Sequence, residues 1–500
     1  MAVARTGSPS NGPSMNAGSA SDAVGTSDGG SGQLDVALDR IGVTAAHRTI
    51  IFLILIGCLF DSFEQNSIGL IAPMLRQQWG LHATDIGLLN TITFASAALG
   101  RLLSGYIADQ YGRRMMLTVD LLLFTLGAVI CALAPSFLVL SIGRAIVGFG
   151  LGGEIAIAVT MMAEFCSQKF RGTAVGLINV GAGGLGNFLA PAFGLLIFAL
   201  FPGANGWRWL FAALVLPALL AALYRHIIPE TPRYLMARGK VKETNAVLSK
   251  LASGKLTGNA YTVHEYIRVD SSLVGGANKA DAKARTNVWE IFRGRLARRT
   301  FPVAIAIWMT YGAQISVLTL MPTILVSEGY SITRSLVFTL IMQGGSLCGA
   351  VAASLLGYHF PRKRVLTIGA ILACLAALAF GFLAKSIVLI LLCGALFQFF
   401  VLLLNTTIWM YAPELYPTRV RAFGTSFILA TGTAAGAAMP LVAGRLFDLQ
   451  GIAGVFGLIA VMYAIFTACI QIAPETYGKR LDEALPSGEM AADSSVASGT

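Results

Sequence analysis

The sequence predicts an all-α integral membrane protein with twelve transmembrane helices in two pseudo-symmetric bundles of six. The first observation is composition, because 55% of the 500 residues are hydrophobic, 12% are charged, and the mean hydropathy is +0.71. The second is that apolar runs of about 20 residues, long enough to cross a bilayer as a helix, recur along the whole chain. The predicted spans are 50–70, 86–107, 115–133, 137–160, 173–200, 207–227, 301–325, 334–357, 364–384, 386–411, 422–446 and 452–473.

The basic residues alternate between loops, and this pattern predicts the orientation of the spans. Lys and Arg are concentrated in every second loop, including the whole stretch 225–299, whereas the loops between contain few. Because cytoplasmic loops carry the excess of Lys and Arg, both termini and the central loop are predicted to be cytoplasmic. The net charge of +11 therefore suits contact with anionic lipid rather than nucleic acid. We predict a multi-pass protein of the cell inner (plasma) membrane that functions as a monomer.

A polar loop between two sets of six spans divides the chain. We predict a disordered cytoplasmic tail with a short amphipathic lead-in (1–46), an N-terminal six-helix bundle (47–228), a cytoplasmic central loop (229–299), a C-terminal six-helix bundle (300–474) and a cytoplasmic tail (475–500). The seven cysteines show no CxxC spacing and all but Cys166 lie in apolar segments, so no disulfide framework or metal site is expected. The sequence contains no Walker motif, and we expect no cofactor and no enzymatic activity.

Three motifs occur at matching positions in the two halves, which indicates an internal repeat. The pairs are GYIADQYGRR (105–114) with GYHFPRKR (357–364), Glu164 and Arg171 with Glu414 and Arg421, and PETPR (229–233) with PETYGK (474–479). Each motif follows an even-numbered span. Homologous halves with a site between them near the middle of the membrane are typical of alternating-access transporters.

Over about residues 40–484 the chain resembles the major facilitator superfamily. The resemblance rests on the G-x-x-x-D-x-x-G-R-R loop, on the run from Arg144 to Glu154 in the fourth span, and on PETPR after the sixth. Within the superfamily the chain is most similar to the aromatic-acid and metabolite:proton symporters, which commonly carry D-G-x-D where this chain has Asp61-Ser-Phe-Glu64. The resemblance implies proton-coupled uptake of a small organic acid, with aromatic carboxylates favoured.

Other functions stay open at this point. Sugar porters share the PETPR-like loops, but they typically carry Q-Q-x-x-G-x-N in the seventh span, where this chain has Met309-Thr-Tyr-Gly-Ala-Gln-Ile315. The paired amides that would bind sugar hydroxyls are therefore missing, which disfavours but does not exclude a sugar or another neutral metabolite. An exporter would have the same architecture, and a non-transporting membrane sensor is the remaining alternative.

Carboxylates inside the apolar spans are the candidate proton carriers. Asp61 and Glu64 lie three residues apart and so share one helical face. A charge at the centre of a membrane helix costs roughly 3 kcal/mol or more, while desolvation and mutual repulsion both favour a protonated carboxyl. Glu154 in the fourth span is a candidate second proton stop nearer the cytoplasm. The alternative for all three residues is a purely structural contact.

Arg144 in the fourth span lies at a depth similar to that of the acidic face. We predict that it pairs with this face in one protonation state and binds a substrate carboxylate in the other, with a permanent ion pair as the alternative. The candidate substrate-binding residues of the second half are Tyr311, Gln314, Asn405 and Trp409. Their aromatic rings suit stacking on an aromatic substrate, although polar residues in membrane helices also serve helix–helix hydrogen bonds.

Charged residues at the cytoplasmic ends of helices are predicted to form a conformational gate. The resemblance implies that Asp109, Arg113 and Arg114 act as a latch for one conformer, and two states within a few kcal/mol need only modest contacts to bias them. The second copy lacks the Asp, so we expect a weaker latch there. The other gate candidates are Glu164 with Arg171, Glu414 with Arg421, and the set Glu230, Arg233, Glu475 and Lys479.

Overall fold

A computed structural model describes residues 29–476, apart from 168–169, 171–173, 175, 258–261, 268–287, 384–385 and 417–419. Every regular element in this part of the chain is helical. Ten helices are long and apolar enough to cross a membrane. Residues 1–28 of the predicted tail 1–46, residues 477–500 of the predicted tail 475–500, and Arg171 lie outside the described residues, and Lys479 falls in the second of these stretches.

The helices follow one another in the order that the apolar segments predict. The first half contains α1 (Gly29–Ile41), α2 (Ala45–Trp79), α3 (Ala83–Tyr111), α4 (Arg113–Leu133), α5 (Phe137–Phe165), α6 (Gly176–Leu200), α7 (Gly206–Ala213) and α8 (Pro217–Ile227). The central segment contains α9 (Pro232–Ala237) and α10 (Val241–Ser253). The second half contains α11 (Gly294–Ser327), α12 (Ile332–His359), α13 (Arg362–Leu383), α14 (Ile387–Tyr411) and α15 (Arg421–Ile472).

The difference between twelve predicted spans and ten long helices has two local causes. The predicted span 207–227 consists of α7 and α8, which are separated by residues 214–216 and are each too short to be counted. Pro217 begins α8, as expected of a residue without a backbone N–H donor. The predicted spans 422–446 and 452–473 are the two arms of α15, which meet at Gly451 with φ 66°. Glycine adopts this left-handed conformation without steric cost.

Close helix contacts in the N-terminal bundle depend on the glycine-rich sequence of α5. This helix packs against α3 and α4. A Cβ atom on Gly152 would lie 1.9 Å from the carbonyl oxygen of Ala97 in α3, so a larger residue does not fit there. Small residues permit such backbone approach in membrane helices. In the C-terminal bundle, α11 packs against α15 and α12 against α14.

The two bundles contact each other closely at the ends opposite to the basic loops. The Asp448 carboxylate accepts hydrogen bonds from the backbone N–H of Ala83 (3.1 Å) and Thr84 (2.9 Å) and from the Thr84 hydroxyl (2.7 Å). A Cβ atom on Gly69 of α2 would lie 2.1 Å from the carbonyl oxygen of Leu318 in α11. These contacts close the outer end of the interface between the bundles.

Three short helices lie at the predicted cytoplasmic end of the N-terminal bundle. Leu34, Ala37 and Leu38 of α1 are buried, and α1 contacts α9 and α10. The Thr44 hydroxyl donates a 2.6 Å hydrogen bond to the carbonyl oxygen of Leu251, which joins α10 to the start of α2. The predicted amphipathic lead-in is therefore a helix, with its apolar side turned towards the central segment.

Candidate functional site

A cavity of about 80 Å³ lies between the two bundles. One water molecule needs about 10–15 Å³ on the same measure, so the cavity has room for several. Its lining combines residues of α2, α3, α5 and α6 from the first half with residues of α11, α14 and α15 from the second. The polar lining residues are Ser62, Gln65, Arg101, Asn179, Asn187, Tyr311, Gln314, Asn405, Trp409 and Thr433.

The four candidate substrate-binding residues of the second half all line this cavity. Tyr311 and Gln314 come from α11, whereas Asn405 and Trp409 come from α14. The side-chain nitrogen of Asn405 donates a 2.5 Å hydrogen bond to Gln314 Oε1, while Asn405 Oδ1 has no protein partner. The side-chain nitrogen of Asn179 in α6 has none either. Because buried polar atoms are nearly always hydrogen-bonded, these two atoms are natural contacts for a solute or water in the cavity.

Arg144 lies behind the cavity wall, inside the N-terminal bundle. Its side chain and that of Glu64 are both fully buried, and they form an ion pair. The guanidinium also donates from Nε to the Thr93 hydroxyl (3.0 Å) and from Nη1 to the Ser67 hydroxyl (3.2 Å). The side chain of Arg144 is not part of the cavity lining, and its role as a substrate ligand stays a prediction.

The two acidic residues of the first span have different surroundings. Glu64 pairs with Arg144, whereas neither carboxylate oxygen of Asp61 accepts a hydrogen bond from a donor in the described residues. Asp61 instead faces the carboxyl group of Glu154 in α5, and it interacts electrostatically with Asp120 and Arg101. Two facing carboxyl groups repel each other when both are ionised and form a hydrogen bond when they share a proton. Asp61 and Glu154 are thus arranged to hold a proton between them.

Two charged residues of this region, Arg101 and Asp120, are not among the candidates predicted from the sequence. Nη1 of Arg101 donates a 2.6 Å hydrogen bond to the hydroxyl of Thr433 in the opposite bundle, while its Nε has no partner among the described residues. Oδ1 of Asp120 accepts a 2.8 Å hydrogen bond from the Ser104 hydroxyl, and Oδ2 has no partner. Both residues lie inside predicted spans, so the cost of a charge at membrane depth is the signal that would have found them.

The first-half gate residues form one cluster around Arg113. The Arg113 guanidinium contacts Asp109 (2.7 Å) and Glu164 (3.3 Å), and the Thr231 hydroxyl donates a 2.5 Å hydrogen bond to Glu164. The Glu230 carboxylate accepts hydrogen bonds from the backbone N–H of Arg113 (3.1 Å) and Arg114 (3.3 Å). Burial raises the pKa of Glu230 above its ordinary value, and these backbone hydrogen bonds partly oppose the increase.

The second half repeats this cluster with corresponding residues. Arg362 contacts Glu414 at 3.2 Å, and the Thr476 hydroxyl donates a 2.5 Å hydrogen bond to Glu414. The Glu475 carboxylate accepts a 3.1 Å hydrogen bond from the backbone N–H of Lys363, in the manner of Glu230 with Arg114. The predicted repeat is therefore present in the contacts as well as in the sequence.

Some gate predictions fall on parts of the chain without a described position. Arg171 and Lys479 lie outside the described residues, as does the side chain of Arg421, so the predicted pairs Glu164–Arg171 and Glu414–Arg421 stay predictions. Arg233 forms an ion pair with Asp35 of α1. It therefore joins α1 to α9 at the cytoplasmic surface.

Comparison with known proteins gives a family and a fold. Residues 51–486 match the family model described as "Sugar (and other) transporter". The chain is similar to the niacin transporter NiaP of Acinetobacter baylyi, with 28% identity over 447 residues that cover 89% of this chain and 98% of that protein. It is similar to the gallate transporter of Pseudomonas putida, with 30% identity over 424 residues that cover 82% and 88% of the two chains.

The likeness to solved structures concerns the fold. The partially occluded inward-open conformation of the xylose transporter XylE from E. coli superimposes with a TM-score of 0.69 at 19% identity, covering 87% of this chain and 100% of that chain. The inward-open conformation of the same transporter gives 0.67. This likeness confirms the predicted all-helical, two-bundle architecture.

Proposed function

The chain belongs to the sugar (and other) transporter family and is therefore a multi-pass membrane transporter of the major facilitator superfamily. On this premise we propose that it is a proton-coupled symporter of a small organic acid. Monocyclic aromatic carboxylates are the favoured substrates, and the inner membrane is the proposed location. The observation that carries the proposal is the unpaired carboxyl group of Asp61, which faces Glu154 next to the cavity between the bundles.

Asp61 and Glu154 are the proposed proton carriers. Both are almost completely buried, with exposed fractions of 1% and 2%. The pair favours uptake of one proton, because a proton relieves the repulsion between the carboxylates and the cost of a buried charge. Cys58 and Ser62, the neighbours of Asp61 on α2, line the cavity. A proton at Asp61 therefore lies one side chain away from a bound solute, close enough to influence its binding.

Glu64 and Arg144 have a different proposed role. Their fully buried ion pair joins α2 to α5, and further hydrogen bonds to Thr93 and Ser67 hold the guanidinium. Protonation of Glu64 would weaken this contact and change the packing of the helices beside the cavity. Glu64 is therefore proposed as the third proton-coupled residue, acting through Arg144 on the position of α5.

Alternating access is the proposed mechanism of transport, in which the two bundles rock about the central cavity. The clusters around Arg113 and Arg362 each hold helix ends together within one bundle, so each bundle moves as a unit. The Asp448 contacts with Ala83 and Thr84 join the bundles at the outer end and must break for the site to open outwards. Import of the substrate would follow the inward proton gradient.

Uptake by purified protein in proteoliposomes tests the proposal. Labelled nicotinate, benzoate and xylose are offered with and without an inwardly directed proton gradient, using wild type, Asp61→Asn and a control, Glu243→Gln. Glu243 is a half-exposed carboxylate at the cytoplasmic surface that pairs with Lys240, so its neutralisation removes a charge far from the cavity. We expect gradient-driven uptake of an aromatic acid by wild type and the control, and its loss in Asp61→Asn.

A neutral metabolite is the second candidate substrate. It is favoured by the amides of Asn179, Asn187, Gln314 and Asn405 in the cavity lining, which suit hydroxyl groups. Gradient-driven uptake of xylose without uptake of either acid would favour this candidate and contradict the organic-acid proposal. Acid uptake that does not respond to the proton gradient would retain the substrate class and contradict proton coupling.

A further inference from the structure

We infer that Arg101 binds the carboxylate of the substrate through the free Nε edge of its guanidinium group. Arg101 belongs to α3 and lines the cavity between the bundles. The inference rests on the proposed organic-acid function and names the residue that would recognise the acid. It also gives the cavity a cation, which Arg144 does not supply because that residue lies behind the wall and pairs with Glu64.

The contacts of Arg101 leave its charge without a carboxylate partner. Its single hydrogen bond within the described residues goes from Nη1 to the neutral Thr433 hydroxyl at 2.6 Å. Its Nε is buried and donates to no acceptor. Asp61 acts on it electrostatically, but the Asp61 oxygens accept no hydrogen bond. A cation at membrane depth with an unused donor is costly, and an anion in the cavity would offset that cost.

The geometry of an arginine fits a carboxylate better than it fits a hydroxyl or an amide. Guanidinium presents its N–H groups in a planar fork that matches the two oxygens of a carboxylate, and such charge-assisted pairs are about twice as strong as neutral hydrogen bonds. With Nη1 held by Thr433, the guanidinium is fixed relative to the cavity. Nε, which has no partner within the described residues, is then the donor left for a carboxylate group in the cavity.

The other residues that line the cavity would contact the ring of an aromatic acid. Tyr311 interacts electrostatically with Arg101, so a ring attached to the bound carboxylate would extend past the α11 side of the cavity. Trp409 and the amides of Gln314 and Asn405 lie on the opposite bundle and provide a stacking surface and hydrogen bonds. The acid group would thus bind to the first half of the chain and the ring to the second.

In this arrangement the bound substrate would contact both bundles. Arg101 lies in the first half, whereas Thr433, Tyr311 and Trp409 lie in the second. A ligand that contacts both bundles binds more tightly to the conformation in which the bundles are close. That difference in affinity shifts the equilibrium towards this conformation. Recognition of the carboxylate and approach of the bundles would therefore be linked through a single side chain.

The test compares acids with their uncharged amides of nearly identical shape. Binding of nicotinate, nicotinamide, benzoate and benzamide to the purified full-length protein is measured by ligand-induced thermal stabilisation and by isothermal titration. The variants are Arg101→Gln, Arg101→Lys and Thr433→Val, the last of which removes only the partner of Nη1. Binding of the amides and the unfolding transition without ligand report whether each variant is folded.

We expect wild type to prefer each acid over its amide. Arg101→Gln should weaken binding of the acid by roughly 10- to 100-fold and leave the amide nearly unchanged, as expected for a hydrogen bond to a charged group. Arg101→Lys should keep part of the preference, because it retains the charge and loses the planar fork. Thr433→Val should keep most of it.

Each other result has a distinct meaning. If wild type prefers the acids and Arg101→Gln keeps that preference, the role of Arg101 is wrong and the proposed function stands. If Thr433→Val reproduces the loss in Arg101→Gln, the residue acts by joining the bundles and not as a ligand, which also overturns the inference. If wild type binds the amides alone, or none of the four compounds, the organic-acid substrate class is contradicted together with the role of Arg101.

Discussion

The two bundles share the contacts at their cytoplasmic ends and differ in their interiors. Arg113, Glu164 and Thr231 in the first half have the same relationship as Arg362, Glu414 and Thr476 in the second. The interiors are unlike, because the first-half spans contain Asp61, Glu64, Arg101, Asp120, Arg144 and Glu154, whereas the charged residues of the second-half spans are Arg334, Arg364 and Arg445, all near span ends.

This difference indicates which tasks need both halves. The proposed transport cycle would use contacts at the helix ends of each bundle, and both copies of the repeat have them. The proposed proton binding and anion recognition would use charged groups of the first bundle alone. The second bundle contributes neutral amides and aromatic rings to the cavity, such as Asn405 and Trp409. Four predictions test this division of roles.

The largest effect is expected from breaking the buried ion pair of the first half. Arg144→Ala leaves the Glu64 carboxylate buried and unpaired, which costs about 3–5 kcal/mol of stability. The double variant Glu64→Gln/Arg144→Ala should recover much of this loss, because no charge is left uncompensated. The free energy of unfolding in detergent measures both effects.

The matched control comes from the neutral second half. Gln343 accepts a 2.6 Å hydrogen bond from the Ser346 hydroxyl, and both residues are buried. Gln343→Ala should cost about 1–3 kcal/mol, as expected for an unsatisfied neutral partner. Equal losses for Arg144→Ala and Gln343→Ala would contradict the view that charge distinguishes the two interiors.

The next effect concerns transport rather than stability. Asp61→Asn removes a carboxyl group that can bind a proton, so accumulation under a proton gradient should fall by at least about tenfold, while exchange of substrate across the membrane continues. Asn405→Ser in the second half should weaken substrate binding and keep the dependence on the gradient. Comparison of gradient-driven uptake with counterflow separates these results. Loss of proton coupling in both variants would mean that the second bundle also carries protons.

A smaller effect is expected from the gate clusters. Arg113 contacts Asp109, Glu164, the carbonyl oxygen of Ala108 and the ring of Tyr234 at 5.0 Å. Because the second copy of the motif lacks a counterpart of Asp109, Arg113→Ala should lower the transport rate more than Arg362→Ala, by a difference on the order of 1 kcal/mol in activation free energy, or about fivefold. Initial rates at saturating substrate provide the measurement. A larger defect in Arg362→Ala would reverse the assigned order of the two latches.

The smallest effect is a pH dependence of the first-half gate. Burial raises the pKa of Glu230, so the folded protein binds this proton more tightly than the unfolded chain does. The contribution of Glu230 to stability is then greatest below about pH 4.5, its ordinary pKa, and declines as pH rises through the raised value. Glu230→Gln should lose less stability than wild type between pH 4.5 and 7. A greater loss in the variant would mean that the backbone donors outweigh burial.

The sequence by itself determined the architecture and the repeat. Hydropathy located the spans, because any helix that crosses a bilayer must be apolar over about 20 residues whatever its neighbours are. It did not predict the break between α7 and α8, nor the full length of α2 and α11, which extend beyond the predicted spans 50–70 and 301–325. The paired motifs predicted corresponding residues at the helix ends of both halves, and the contacts of Arg113 and Arg362 correspond, while their role as a gate stays a prediction.

Only the tertiary structure decided which charged residues meet. Asp61 and Glu64 share a helical face in sequence, yet one faces Glu154 and the other pairs with Arg144, two residues that lie several turns apart on α5. Arg101 enters the cavity through the packing of α3 against α15 of the other bundle. Helical periodicity reports the side of a helix on which a residue lies. The residue that it contacts depends on crossing angles and side-chain volumes across the whole molecule, which spacing along one segment does not contain.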